Sequence, residues 1–371
     1  MKKILGVMLF LSLFIFSSYG ADISEISKLE SSVSEGAMEN IIKANPGFSF
    51  YDTAENLMAG TYEADLKGVL SKGISLLFSE VRANIKIMGA VMLIGILSSF
   101  VSNLSASFGK GGVTEASFLC CYALLSGIAA TGFYEITECA KSAVNEMGLF
   151  MKSLIPLLSF LSASEGRVIT ASVLHTQILT AVAVNSFVTE KVILPLLYMT
   201  FALKFINNIT VNLSLSNLSK MADKLMRRIL SFTLLIFTAV LSLSGFASGT
   251  VENMGLKTAR FALGTFVPVA GGALADSVSA ITASAKMIKN SVGLTGVIAV
   301  ALIAAYPVIK CAAVSFIYNF TGALLEPVCD TRLSKAVTSV GEVMGMLFGI
   351  VAITAAEYII SSAILLFVYV G

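Results

Sequence analysis

From residue 85 to its end the chain repeats blocks of roughly 18 to 25 consecutive apolar residues, and these blocks limit its possible folds more than any other feature. At about 1.5 Å of rise per residue, an α-helix needs about 20 such residues to cross a hydrocarbon core about 30 Å thick. A backbone facing lipid must satisfy its own hydrogen bonds. The blocks lack the period-2 alternation of a membrane strand, so helices are expected. Charged residues make up 13% of the chain, where a soluble domain carries about 25%. The net charge of +2 predicts no nucleic-acid partner. The cysteines, Cys120, Cys121, Cys139, Cys311 and Cys329, lie in or beside apolar blocks without C-x-x-C spacing, so no disulfide framework, metal site or cofactor is expected.

Residues 1–20 read as a secretory signal peptide: Lys2 and Lys3 precede an apolar run from Ile4 to Phe16, and small residues precede Ala21. Residues 21–84 form a polar, helical N-terminal segment, expected outside the cytoplasm and divided at Asn45-Pro46-Gly47. In its second piece, Asp52 with Glu55 fits a capping box, and Leu66, Val69, Leu70, Gly73, Ile74 and Leu77 share a face. That face suits either the membrane and the protein's own spans or an extracytoplasmic partner.

Residues 85–371 make a multispanning membrane domain. The expected spans are 87–101, 116–137, 168–187, 192–206, 229–246, 292–309, 311–325 and 341–370. Residues 143–162 are a kinked span or an interfacial helix, because Lys152 and Pro156 interrupt them. The fold class is thus all-α and polytopic, with about eight or nine spans plus amphipathic or re-entrant helices. Between Leu213 and Arg228, Leu218, Ala222, Leu225 and Ile229 oppose Asn217, Lys220, Lys224 and Arg227. This densest basic cluster belongs in the cytoplasm by the positive-inside rule.

Charges inside spans cost about 2.5–3.5 kcal/mol each even on the insertion scale, so they should face protein or water. Glu357 and Lys310 are therefore candidates for a polar path, or for a structural ion pair or a neutral, hydrogen-bonded Glu357, and His175 joins that candidate path as a proton carrier or else makes a helix-to-helix hydrogen bond. Gly341, Gly345 and Gly349 repeat every fourth residue and suit close helix packing. The glycine-rich loop 109–114 lacks the G-K-[ST] ending of a phosphate-binding loop. With no nucleophile elbow, zinc-protease motif or dinucleotide fingerprint either, enzymatic chemistry is not expected.

Residues 257–293 are neither a clean span nor a water-soluble loop. Pro268 and Gly271-Gly272 predict a break, and Asp276 is placed to cap a following helix. Residues 250–292 are therefore either a re-entrant hairpin lining a cavity or an interfacial helix pair. Arg260, Phe261, Gly264, Pro268, Gly271, Gly272, Asp276, Lys289, Asn290 and Gly293 resemble the hallmark block of the stage III sporulation protein AE family, and the similarity extends through 305–310 and 316–318. The resemblance implies a multi-pass component of the mother-cell membrane around the forespore, its N-terminal segment extracytoplasmic. It implies as partners an ATPase and ring-forming membrane proteins of a sporulation channel complex, besides the lipid bilayer and further copies of the chain. A pore or permease role follows as the first expectation, with a non-conducting scaffold or an ion-coupled transporter as alternatives.

Overall fold

The computed structural model describes residues 35–46, 48–62, 66–107, 111–165, 168–209, 215–239 and 271–367. The expected signal peptide and the first part of the hallmark block, with Arg260, Phe261, Gly264 and Pro268, lie outside the described residues. Every described element is helical: α1 (Glu35–Ala44), α2 (Phe50–Ala59), α3 (Leu66–Ser107), α4 (Gly111–Ser164), α5 (Val168–Val188), a π-helical turn (Thr189–Ile193), α6 (Leu194–Ile209), α7 (216–239), α8 (Gly271–Leu325) and α9 (Thr331–Phe367).

Five of these helical stretches are long and apolar enough to cross a membrane, 71–105, 114–164, 171–209, 283–325 and 331–366. The expected count of eight or nine separate spans is not what the described residues show. Residues 116–137 and 143–162 are one continuous helix, as are 292–309 and 311–325, while 168–187 and 192–206 join through the π turn. A continuous helix does not double back, so each fused pair offers at most one crossing. The 51-residue stretch in α4 is about 76 Å long, far more than a bilayer needs, so it extends beyond the hydrocarbon. The expected span 229–246 runs past the end of α7 into residues outside those described.

Local chemistry explains the joins. Pro195 has no N–H to donate and its ring crowds the preceding turn; just before it the helix widens, with Leu194 N–H donating to Thr189 O. Pro156 and Pro307 sit inside α4 and α8, which nevertheless run on. One face of residues 143–162 is core, with Ala143, Met147, Met151, Leu154, Ile155 and Leu158 fully buried, while Leu149, Lys152 and Phe160 on the other are exposed.

Three smaller expectations shift. The N-cap of α2 is Ser49, whose hydroxyl accepts from Asp52 N at 3.2 Å, so Asp52 lies within the first turn and is not the cap. Gly60, at φ 69°, closes α2, and residues 66–77 begin the long α3, where Ile74 is exposed. On α7 Ala222 of the expected face is buried, but the rest of the buried stripe is Ser219, Met226 and Leu230, one residue on from the expected positions, and Leu218 and Leu225 are exposed.

The core centres on the hairpin of α8 and α9, with α4 packed on both. Small residues bring the helices together. Ser315 Oγ donates to Gly341 O at 2.7 Å, Ser334 Oγ donates to Gly322 O at 3.0 Å, and a Cβ on Gly341 would lie 2.6 Å from Asn319 Cγ. Gly345 faces Ser315, whereas Gly349 has open space around it. The polar helices α1 and α2 seat Ala37, Ile41 and Phe50 in the bundle, with Lys43 over the Tyr306 ring of α8 and Phe50 edge-on to Phe150 of α4. Their partner is thus the chain's own long helices.

Candidate functional site

Glu357 lies two-thirds of the way along α9 and is 1% exposed. The next-turn hydroxyls do not serve its carboxyl: Ser361 Oγ donates to Glu357 O and Ser362 Oγ to Tyr358 O. Asn185 of α5 is buried beside the carboxyl, yet neither Glu357 oxygen nor Asn185 Nδ2 completes a hydrogen bond of normal geometry. Gln177 Oε1, two turns earlier on α5, is a third buried group without a partner. Leaving such a group unsatisfied costs about 1–3 kcal/mol, so several at one place call for an explanation.

All three side chains line one cavity of about 490 Å³ between α5 and α7, floored by Glu357. Thr180 and Thr233 add hydroxyls, and Val184, Phe232, Ile236 and Phe237 make apolar walls. The volume suits a small molecule, since such sites run from about 300 to 1,000 Å³ and combine apolar walls with few polar groups. The next residue of each helix forms a second contact: Ser186 Oγ and Tyr358 Oη lie 3.3 Å apart. Ser186 also lines a separate, more polar cavity of about 320 Å³ with Glu138, Lys141, Thr189 and Glu190. Successive residues of α5 therefore face two cavities, just before a π turn of the kind often found at functional sites.

Elsewhere the buried charges are paired. Lys289 Nζ lies 2.9 Å from Glu165 Oε1 and 3.0 Å from Oε2, with side chains 1% and 3% exposed. Lys204 of α6 joins Asp223 of α7 at 3.0 Å and Glu342 of α9. Lys310 reaches Glu135 of α4 at 3.4 Å, and His175 Nδ1 lies 3.2 Å from Ser159 Oγ. The residues expected on one polar path do not meet: Lys310 turns to Glu135, His175 turns to Ser159, and of the three Glu357 alone lines the cavity.

The hallmark residues divide similarly. Gly271 and Gly272 begin α8, so Asp276 lies inside that helix and does not cap it. Lys289 is buried, Asn290 is half-buried, and Gly293 gives room to Leu366, which a Cβ there would strike. Sequence reasoning missed Asn185, Gln177, Glu165, Lys204, Asp223 and Glu342. Amides inside an apolar block were the available signal for the first two.

These features define a class: a helical protein that, among the described residues, has five candidate membrane-spanning helices and buried polar groups between its helices. The family model for stage III sporulation protein AE matches residues 48–368, and the chain belongs to that family. Stage III sporulation protein AE of Bacillus subtilis (strain 168) is 27% identical over 292 residues, which cover 79% of this chain and 73% of that protein. No solved structure matches.

Proposed function

We propose that the chain is a non-enzymatic, pore- or permease-like subunit of a sporulation channel complex in the mother-cell membrane around the forespore. The observation that carries this reading is the cavity at Glu357, where both carboxyl oxygens, Gln177 Oε1 and Asn185 Nδ2 stay unpaired among helices able to cross a bilayer. A purely structural bundle gains nothing from leaving them so, whereas a solute path needs polar groups free to exchange partners. Membership of the sporulation family supports the setting. Ring-forming membrane proteins and an ATPase are the proposed partners.

A non-conducting scaffold is favoured by a different observation, the paired state of Lys204, Lys289 and Lys310. Flux into proteoliposomes holding the chain with its partners separates the two, because a scaffold yields none. In sporulating cells, Glu357→Gln is expected to lower spore formation while the protein accumulates normally. Wild-type spore yield from that variant counts against a path through the cavity.

A further inference from the structure

We infer that the cavity between α5 and α7 is a binding site for a small amphiphilic primary ammonium compound, with Glu357 as its counter-ion. The inference rests on the permease reading and names its substrate class.

The first ground is a match of donors to acceptors. Three unpaired acceptor atoms belong to the lining, Glu357 Oε1, Glu357 Oε2 and Gln177 Oε1. A primary ammonium group carries three N–H donors and no acceptor. Asn185 Nδ2, an unpaired donor in the same lining, lies on the carboxyl side and can hold that group in place.

The second ground is charge. Glu357 is the sole ionisable side chain among the described lining residues. On the elements packed around it, His175 of α5 turns to Ser159, Asp223 of α7 is taken by Lys204, and Glu190 and Lys191 pair with each other. Arg227 and Arg228 line a shallower depression that shares only Ile229 and Phe232 with the cavity. A buried carboxylate without a counter-ion is costly, and a ligand cation supplies one.

The third ground is shape. The space is far larger than a bare metal ion needs, and most of its wall is hydrocarbon, including the Phe232 and Phe237 rings, whose faces attract cations. Val184, Phe232 and Ile236 are exposed at its rim, so the entrance to the cavity is apolar. A compound with an apolar body and an ammonium head fits both the entrance and the floor.

The test uses the purified full chain in nanodiscs at neutral pH, with phenethylamine as probe and 2-phenylethanol as its neutral counterpart, read by calorimetry. The expected result is saturable binding of phenethylamine about tenfold or more tighter than the alcohol, the size of one charge-assisted hydrogen-bonded contact. Glu357→Gln should erase that preference, and Thr233→Phe, which fills the cavity, should abolish binding of both probes. Equal affinity for the two probes overturns the inference in favour of an apolar lipid crevice. Binding of neither overturns it too, as does a preference that survives in Glu357→Gln. If that variant does not fold, Thr233→Phe decides: undiminished phenethylamine binding there places the site elsewhere. The assay needs no conduction, so absent flux from the assembled complex sinks the permease reading without altering the binding result, and absent binding sinks this inference alone.

Discussion

Replacing Lys289 by methionine removes one partner of a pair in which both side chains are almost wholly enclosed, at 1% and 3% exposure. The enclosed Glu165 carboxylate then loses its cation partner among the described residues, and breaking such a pair costs about 3–5 kcal/mol. Glu165→Gln should cost a similar amount by stranding the ammonium. Lys289→Met combined with Glu165→Leu leaves no buried charge, and a hydrophobic replacement of a whole pair is often neutral. The double variant should therefore sit well above the sum of the singles, with a coupling energy of at least about 2 kcal/mol. Reversible unfolding by dodecyl sulfate in mixed micelles, followed by near-ultraviolet circular dichroism, measures each corner of the cycle. Single losses below about 0.5 kcal/mol, or singles that simply add to the double, would refute the pairing of the hallmark lysine with the end of α4.

Gly293→Ala should destabilise the α8–α9 packing by about 1–3 kcal/mol through contact with Leu366, and Leu366→Ala should restore part of the loss in the same unfolding assay. Ser49→Ala removes the cap of α2 and should cost about 1 kcal/mol, seen as faster hydrogen exchange over residues 50–59 with α9 unaffected. Burial pushes the Cys329 thiol in the α8–α9 turn up to about 11, so its alkylation should keep accelerating well above pH 9; a plateau near pH 9 would contradict its enclosure. Although burial pulls Asp330 in that turn upward, hydrogen bonds from Arg332 hold it below its usual value of 3.8. A lowered carboxylate contributes stability above its unfolded pKa and loses it as pH falls through the folded one, so hairpin protection should decline below about pH 4 in wild type and not in Asp330→Asn.

The helical, membrane-spanning character was legible because apolar length is a local property. How the blocks join was not. Lys310 looks like a boundary between two spans, yet a helix carries a lysine mid-length when Glu135 meets it from α4, and that contact is invisible in sequence. Ser49 was hidden for a different reason: Asp52 with Glu55 also satisfies a capping pattern, and the turn at residues 45–48 decides between them. On α7 the buried stripe keeps Ala222 of the expected face but takes Ser219, Met226 and Leu230 in place of their preceding neighbours, because the exposed Leu218 and Leu225 suit lipid as well as a core. Glu357 stood out as a charge within an apolar run. Asn185 and Gln177 joined it only once α5 was seen to face α9 and α7.

The central claim is that the Glu357 cavity belongs to a solute path and not to a sealed core. Single cysteines at Thr180 and Thr233, which line it, and at Leu119 on the exposed apolar face of α4, can be placed in a chain freed of its native cysteines and exposed in native membranes to a small, charged, membrane-impermeant thiol reagent. The account predicts modification at positions 180 and 233, slowed by phenethylamine, and none at 119. Protection of 180 and 233 to the same degree as 119 would contradict it.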